Sequence, residues 1–235
     1  MSRGANSDAA TGRSRGPVIA IDGPAGAGKS TVARAVARRL SLRYLDTGAM
    51  YRAVALLAVE AGVAAPDQDA VVQIARTTSL RMTTDPNHPR VFVGDRDVTR
   101  EVRSAEVTAA VSAVSAVVGV REHLVAQQRW IIDGGGIVVE GRDIGTVVAP
   151  DADLKIFLTA SGEERARRRT SQEPAGPGLA GVEQALRRRD RFDSSRLASP
   201  LARAPDAVEI DSTGLDVHEV INRVLARVPG PRRPS

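Results

Sequence analysis

Short apolar runs alternate with longer segments of helical periodicity along most of the chain, a pattern typical of an α/β fold. Residues 18–21 form an apolar run rich in β-branched side chains, as in a strand buried inside a parallel sheet. A helix is predicted over residues 30–40, because Val32, Val36 and Leu40 recur on one helical face. Further strands are predicted at residues 44–45, 137–140, 154–158 and 208–210, and further helices at residues 49–61 and 182–196.

The middle of the chain departs from this alternation. Residues 80–83 and 90–93 predict strands, and the sequence Gly94-Asp95-Arg96-Asp97 turns the chain back on itself. We interpret this antiparallel patch as an insertion into the α/β chain. Helices are predicted at residues 69–75 and 106–130, the second of them broken near Gly119.

Two helix starts carry the signature of a capping box, which is a serine or aspartate followed by glutamate at the third position. Ser161 with Glu164 predicts one start, and Asp216 with Glu219 predicts the other. The last helix bears an apolar stripe that we assign to core packing: Val217, Val220, Ile221, Val224, Leu225 and Val228. Residues 172–181 are rich in proline and glycine and predict a mobile connection.

Composition excludes several kinds of site. The 235 residues include no cysteine, so neither a disulfide nor a thiolate zinc site is expected, and the three histidines are far apart. No run approaches the about 18 apolar residues that a membrane-spanning helix needs. Residues 1–16 are polar and do not resemble a secretory signal, and they and residues 229–235 are predicted to be disordered tails. We therefore expect a cytoplasmic protein that binds no membrane.

The charge is basic, with 33 lysines and arginines against 28 aspartates and glutamates. Only Lys29 and Lys155 are lysines, so nearly all the basic residues are arginines. Arginine suits nucleic acid, and it equally suits small polyanions, because the guanidinium group binds phosphate with two bonds at once. A third interpretation is overall composition, since arginine and alanine are abundant throughout the chain.

The most specific motif is GPAGAGKS at residues 23–30, which fits the phosphate-binding pattern G-x-x-x-x-G-K-[ST] between a predicted strand and a predicted helix. Such a loop points peptide N–H groups and a helix N-terminus at phosphate oxygens. Lys29 is expected to neutralise the β and γ oxygens of a nucleotide, and the Ser30 hydroxyl is expected to bind Mg²⁺. The predicted donor-binding residues are Gly23, Pro24, Ala25, Gly26, Ala27, Gly28, Lys29, Ser30 and Thr31.

The chain lacks the Asn-Lys-x-Asp motif by which GTPases read their base. Helicases and motors are usually larger and carry an acidic pair after a buried strand, of which Glu140 is only a weak counterpart. A compact kinase of a small substrate, with the arginine-rich helices late in the chain as a lid, remains the preferred class.

Four further segments occur in the order found in bacterial cytidylate kinases, which the chain resembles over residues 17–228. These segments are DTGAMYR at 46–52, GRDIGTVV at 141–148, SGEERARRR at 161–169 and RDRFDSSR at 189–196. The resemblance implies transfer of the γ-phosphoryl group of ATP to CMP or dCMP. It also implies a P-loop core with a five-stranded parallel sheet, an inserted monophosphate-binding domain at residues 47–130 and a helical lid at residues 161–196.

The same resemblance implies roles on the acceptor side. Arg52 and Arg142 are expected to bind the CMP phosphate, and Asp143 is expected to accept a hydrogen bond from the cytosine amino group. Further base-reading groups are expected at Thr47, Ser112 and Arg121.

The arginine-rich helices also receive roles by resemblance. Arg189 and Asp193 are expected to contact the ribose hydroxyls, and Arg196 the phosphates when the lid closes. Arg165 and Arg169 are expected to meet ATP. The predicted catalytic residues are Lys29, Arg142, Arg189 and Arg196. One departure from the family is Ser30, which stands where many members have glycine.

For several residues the sequence either leaves two roles open or indicates a role in structure alone. Asp22 is expected either to orient waters around Mg²⁺ or simply to end a strand, and Asp46 is expected to be structural. Trp130 and Phe157 are expected in the core. Solvated side chains are expected at Arg167, Arg168, Arg187 and Arg188.

Three other functions compete with CMP phosphorylation. The first is another nucleoside-monophosphate kinase, with UMP as its substrate. The second is a nucleic-acid-binding ATPase, although few aromatic residues are available to stack on bases. The third is a nucleotide-binding regulator without turnover. We expect a monomer that binds no nucleic acid.

Overall fold

A five-stranded parallel sheet forms the centre of the computed structural model, which describes residues 16–172, 178–196 and 198–229. The strands in chain order are β1 (Val18–Asp22), β2 (Arg43–Asp46), β3 (Leu80–Met82), β4 (Val91–Val93), β5 (Arg96–Asp97), β6 (Ile137–Gly141), β7 (Leu154–Thr159) and β8 (Val208–Asp211). The parallel sheet has the order β2-β6-β1-β7-β8, and β3-β4-β5 form a separate three-stranded sheet. The predicted α/β fold with a five-stranded parallel sheet is thus confirmed.

The helices are α1 (Lys29–Arg39), α2 (Thr47–Glu60), α3 (Gln68–Thr77), α4 (Ala105–Val114), α5 (Val118–Ile132), α6 (Gly162–Gln172), α7 (Leu179–Ser194) and α8 (Val217–Leu225). A short 3₁₀ turn at Glu101–Arg103 precedes α4, and a π-helical turn at Ile144–Val148 follows β6.

Alternate residues of β1 enter two apolar layers, one on each face of the sheet. Ile19 and Ile21 pack with α1 and α8, whereas Ala20 packs with the layer that α2, α3, α4 and α5 complete. In the parallel register Asp22 lies opposite Gly141 of β6. The segments after β1 and β6 therefore leave the sheet side by side, at the carboxyl edge where α/β proteins bind ligands.

The predicted antiparallel insertion is present as β3, β4 and β5. Residues 96 and 97, expected within the turn, form the short strand β5. Gly94 supports the turn with a left-handed φ of 56°. The predicted helix over residues 106–130 is broken near Gly119 as expected, and the break falls at residues 115–117, between α4 and α5. Gly119 lies inside α5, where a Cβ would come within 2.8 Å of Val72 Cγ2, so glycine there allows close packing against α3.

The two predicted capping boxes have different outcomes. Asp216 and Glu219 form the complete reciprocal box at the start of α8. At α6 only one half is seen: the Glu164 N–H donates to Ser161 Oγ at 3.2 Å. The Glu164 carboxylate is instead paired with Arg167 and Arg168, each at 2.7 Å.

The expectation of a buried Trp130 is wrong, because this side chain is 81% exposed near the end of α5. Phe157 is only partly buried. Within the described residues no individual helix is long and apolar enough to span a membrane. Helices α4 and α5 pass that test only when joined across a 99° bend, and side chains such as Val111 and Leu124 are buried in the protein core. Most of the predicted connection at 172–181 lies outside the described residues.

Candidate functional site

A glycine-rich turn at residues 23–28, the phosphate-binding turn, follows β1 and leads directly into α1. Its backbone is left-handed at Gly23, Gly26 and Gly28, with φ values of 148°, 78° and 90°. A Cβ on Gly23 would also lie 2.0 Å from the carbonyl oxygen of Leu158, so that position accepts only glycine. The turn and the N-terminus of α1 together form an arrangement suited to anions.

A cavity of about 1290 Å³ opens in front of this turn. Its other walls come from α2, α4, the segment after β6 and the α6–α7 pair. The predicted site residues that line it are Ala25, Gly26, Ala27, Gly28, Lys29, Ser30, Thr31, Thr47, Arg52, Ser112, Arg121, Arg142, Asp143, Arg169, Arg189, Asp193 and Arg196. Gly23, Pro24 and Arg165 are not among the residues that line the cavity. The predicted residues that line the cavity therefore come from six helices and their ends, from the phosphate-binding turn and from the segment at the end of β6.

Lys29 begins α1, and its ammonium group is buried beside the phosphate-binding turn. The Nζ atom donates a hydrogen bond to the carbonyl oxygen of Pro24 at 2.8 Å. Burial, reinforced by the positive charge of Arg142, lowers the pKa of Lys29 to about 7. A polyanion in the cavity would favour the charged ammonium, so the cavity is electrostatically complementary to phosphate.

Arginines on the far wall of the cavity show the same electrostatic pattern. Arg52 is held by hydrogen bonds from Nη1 to Val102 O at 3.2 Å and to Thr108 Oγ1 at 2.9 Å. Burial lowers the pKa of Arg52 to about 10. Burial, with the charges of Arg142 and Arg52, lowers the pKa of Arg189 to about 9. The guanidinium groups in this wall of the cavity outnumber the acidic side chains near them.

Asp193 on α7 is the main counter-ion of this arginine cluster and is 1% exposed. Its carboxylate accepts a hydrogen bond from Arg142 Nε at 3.0 Å and is ion-paired with Arg196. The Nε atom of Arg189 lies 4.0 Å from it. Arg142 also donates to the carbonyl oxygen of Gly23 at 2.8 Å, which connects α7 to the phosphate-binding turn.

A buried ion pair between Arg121 and Asp143 forms another part of the cavity wall. Arg121 on α5 also donates to Ser115 O at 3.2 Å, and its guanidinium lies 5.2 Å from the centre of the Tyr51 ring. Ser112 on α4 lines the same cavity. A carboxylate, a guanidinium and a hydroxyl beside an aromatic ring are groups that can read the edge of a base.

Glu140, which ends the apolar run of β6, lines the cavity, although the sequence analysis noted it only as a weak acidic counterpart and gave it no role. Its carboxylate accepts hydrogen bonds from Ser30 Oγ at 3.0 Å and from the Tyr44 hydroxyl. Burial, together with the nearby charge of Asp46, raises the pKa of Glu140 to about 7. Thr47 donates to the Glu140 carbonyl at 2.8 Å. The sequence feature that indicates Glu140 is an acidic residue directly after the apolar run of a strand.

Asp22 and Asp46 mainly organise the backbone. Asp22 accepts the N–H groups of Ile144 at 2.9 Å and Gly145 at 2.7 Å, and burial raises its pKa to about 6. These bonds favour the strand-end interpretation, while a role towards Mg²⁺ stays a prediction. Asp46 caps α2 through the N–H of Ala49 at 3.0 Å, in line with its expected structural role.

The oxygen atoms beside the turn fit a magnesium ion. Ser30 Oγ and the Glu140 carboxylate lie on the cavity wall and are the hard oxygen donors that could hold it. Among the described residues no group of three or more histidine, cysteine, aspartate or glutamate side chains could hold a metal. Mg²⁺ usually binds through one or two protein oxygens together with phosphate oxygens and water. A site formed by Ser30 and Glu140 agrees with this preference.

The α6 arginines are arranged differently from the prediction. Arg168, expected to be solvated, donates to Ser212 Oγ at 2.9 Å and to Ser212 O at 2.7 Å, and it approaches Ala27 O at 3.4 Å. Arg165, expected to meet ATP, donates to Ala25 O at 3.0 Å and is not among the residues that line the cavity. Arg167 has a side chain that is 66% exposed, as expected. The side of α6 that faces the turn cannot be read from spacing alone.

The lowered pKa of Lys29 has a consequence for stability. Between about pH 7 and about pH 10, Lys29 binds more protons in the unfolded chain than in the folded chain, because an unfolded lysine, with its ordinary pKa of 10.5, stays charged there. The free energy of unfolding of the ligand-free protein should therefore rise with pH across this window, and Lys29→Met should remove most of that rise. Urea denaturation of both proteins at several pH values tests this expectation. Parallel curves for the two proteins would contradict it.

Comparisons with known proteins agree with this geometry. The family model described as cytidylate kinase matches residues 19–229. The cytidylate kinase of Pelotomaculum thermopropionicum is 52% identical over 221 residues, which cover 92% of this chain and 98% of that protein. The cytidylate kinase of Mycobacterium avium is 52% identical over 212 residues, covering 88% and 92%. A solved structure of an uncharacterized protein from Eubacterium ventriosum aligns with a TM-score of 0.53 at 12% identity, covering 90% and 98%, and supports the fold alone.

Proposed function

The chain belongs to the cytidylate kinase family, and we infer that it transfers the γ-phosphoryl group of ATP to CMP or dCMP, giving ADP and CDP or dCDP. This reaction belongs to pyrimidine nucleotide metabolism. The observation that carries the inference is a cavity lined by the phosphate-binding turn, by the arginine cluster and by the Asp143–Arg121 pair. These parts suit a triphosphate, a second phosphate and a pyrimidine base, respectively.

The attacking group needs no general base. The second pKa of a phosphate monoester is about 6, so the CMP phosphate is largely dianionic at neutral pH. No histidine is found among the described residues that line the cavity. Catalysis therefore rests on aligning the two phosphates and on neutralising the charge that is transferred.

The charge balance explains the number of arginines. ATP and CMP together bring about six negative charges into one cavity. Lys29 and the cluster of Arg52, Arg142, Arg189 and Arg196 supply positive groups from several directions. Burial lowers the pKa values of Lys29, Arg52, Arg189 and Arg196, so their positive charges are unfavourable without a counter-ion. Phosphates that enter the cavity supply that counter-ion.

Donor binding is assigned to the phosphate-binding turn, Lys29, Ser30 and Thr31, with Arg169 approaching from α6. Mg²⁺ would be held by Ser30, with Glu140 beside it, and when bound it would neutralise charge on the β and γ oxygens of ATP. Acceptor binding is assigned to Arg52 and Arg142 at the phosphate, Asp143, Arg121, Ser112 and Thr47 at the base, and Arg189 and Asp193 at the ribose. Arg196 is assigned to the phosphates.

Asp143 is the residue from which we expect base specificity. Cytosine presents an amino donor where uracil presents a carbonyl acceptor, so a carboxylate favours CMP and repels UMP. Asp143→Asn, whose amide can donate, should lower the ratio of kcat/KM for CMP to that for UMP at least about tenfold. A coupled assay that measures ADP formation with each acceptor gives this ratio.

Asp95→Asn is the matched control, because Asp95 is exposed in the β4–β5 turn away from the cavity. It should keep the CMP to UMP ratio of the unaltered protein. A ratio that stays unchanged in Asp143→Asn, while total activity falls, would remove Asp143 from base reading and leave it only as the partner of Arg121.

The proposed reaction is tested directly by steady-state assays with CMP, dCMP, UMP and AMP at millimolar concentration. CMP and dCMP should be phosphorylated with the highest kcat/KM. ATP hydrolysis without an acceptor should be far slower, because closure over the substrates excludes water. A folded protein that fails to phosphorylate CMP under these conditions would refute the proposal.

We further propose that residues 47–130 act as the monophosphate-binding domain and residues 161–196 as a lid that closes over the cavity. A monomer is the proposed working unit. Small nucleotides, rather than nucleic acid or membrane, are the proposed partners, and the cytoplasm is the proposed location.

A further inference from the structure

Two side chains of the α6–α7 pair meet the phosphate-binding turn at the backbone of Ala25, while Arg168 of α6 donates to Ala27 O at 3.4 Å. Asp190 Oδ1 on α7 accepts the N–H of Ala25 at 3.3 Å, and Arg165 Nη1 on α6 donates to its carbonyl oxygen at 3.0 Å. Arg165 and Asp190 are also ion-paired with each other. We call these two side chains the latch, because each holds one polar group of the same turn residue.

The latch lies in a protected environment. Arg165 is 8% exposed, and its Nε donates to Ala160 O at 3.1 Å, which fixes the guanidinium plane. A small apolar cluster covers the contact: Ala25, Ala166, Val182 and Leu186. Charged hydrogen bonds that are shielded from water are stronger than exposed ones, so this contact differs from the surface ion pairs of the same helices.

The phosphate-binding turn needs an external constraint. Gly23 and Gly26 stand on either side of the Pro24-Ala25 pair with positive φ values, and glycine restricts its own backbone little. Helix α6 lies directly against the turn, since a Cβ on Gly26 would come within 3.1 Å of Arg165 Cβ and 3.2 Å of Arg165 O. The Ala25 peptide groups are therefore held by α6 and α7 in addition to Lys29, which donates to the Pro24 carbonyl oxygen at 2.8 Å.

We propose that Arg165 and Asp190 are positioning residues for ATP, which fix the phosphate-binding turn through Ala25 without touching the nucleotide. The proposal rests on the proposed function. Arg165 does not line the cavity, so its effect passes through the turn. Arg52 and Asp143, assigned to the acceptor, lie on α2 and after β6, outside the latch. Loss of the latch should thus affect ATP more than CMP.

Asp190→Asn keeps the shape of the side chain and removes the charge that binds Arg165. We expect the KM for ATP and the dissociation constant for ADP, measured by calorimetry, to rise about tenfold. The kcat and the KM for CMP should change by less than about threefold. Arg165→Met should behave in the same way. The double variant should bind ATP and ADP no more weakly than the weaker-binding single variant, because both residues act as one unit.

Glu183→Gln is the matched control, because it breaks the exposed pair of Glu183 with Arg187 at 2.6 Å on the same helix. It should keep the original KM for ATP. Asp190→Asn with unaltered ATP and ADP affinity but a lower Tm would overturn the proposal, as would equal increases in the KM for ATP and for CMP. If the unaltered protein fails to phosphorylate CMP, the proposed function fails by itself, and the ADP titrations still decide the latch.

Discussion

Lys29→Met should lower kcat for CMP phosphorylation about 1000-fold or more while leaving the protein folded. Its ammonium group is the only lysine charge among the described residues that line the cavity. Methionine fills a similar volume but has no positive charge to neutralise the negative charge that is transferred between the two nucleotides. The loss should therefore appear mainly in kcat, since the turn amides still hold the triphosphate. Steady-state kinetics at saturating ATP and CMP measure it.

Lys155 is the only other lysine of the chain, so its substitution is the control for the loss of a lysine charge. Lys155 lies in β7, is paired with Asp206 at 2.8 Å and is not among the residues that line the cavity. Lys155→Met should keep kcat within about threefold of the unaltered protein. If Lys29→Met retained more than about one tenth of the original kcat, charge neutralisation by Lys29 would not be the main source of catalysis.

The parts of the site that were predictable are those encoded in contiguous motifs. The phosphate-binding turn needs glycine at fixed spacing, and its position between β1 and α1 follows from local periodicity. Parallel strands end at one edge of the sheet, so the motif after β6 had to lie beside the turn. Resemblance to known kinases added the arginines of α7, which spacing alone would have left as a charged helix face.

The parts that were missed depend on pairs of residues distant in sequence. Glu140 meets Tyr44 and Ser30 only because β6 lies between β2 and β1 in the sheet. Asp190 reaches Ala25 only because α7 folds back over the turn. No local pattern records such a contact, since each side chain alone is compatible with a solvated surface.

Helix faces were the other weak point of the prediction. Arg165 and Arg168 differ by three residues, yet Arg165 lies behind the turn and Arg168 lies on Ser212 and Ala27. Trp130 is exposed although tryptophan is usually buried, because it falls on the outer face near the end of α5. Periodicity shows that a helix has faces, but the packing of the whole fold decides what each face meets.

Arg189→Met should abolish most of the activity and at the same time stabilise the ligand-free protein. Burial and the charges of Arg142 and Arg52 lower the pKa of Arg189 to about 9, so its charged form is unfavourable in the empty cavity. We expect kcat/KM for CMP to fall at least about 100-fold. The Tm without nucleotide should rise by about 2 °C or more, because the repulsion is removed.

Asp193 is not left unpaired by this change, since Arg142 and Arg196 still bind its carboxylate. Saturating CMP should raise the Tm of the unaltered protein much more than that of Arg189→Met, because ligand binding is what relieves the repulsion. Arg187→Met, on an exposed position of the same helix with a side chain 67% exposed, should change neither activity nor Tm appreciably. A Tm that falls in Arg189→Met would show that Arg189 contributes net packing and pairing to the folded state, and that the arginine cluster is not held in repulsion for the sake of phosphate binding.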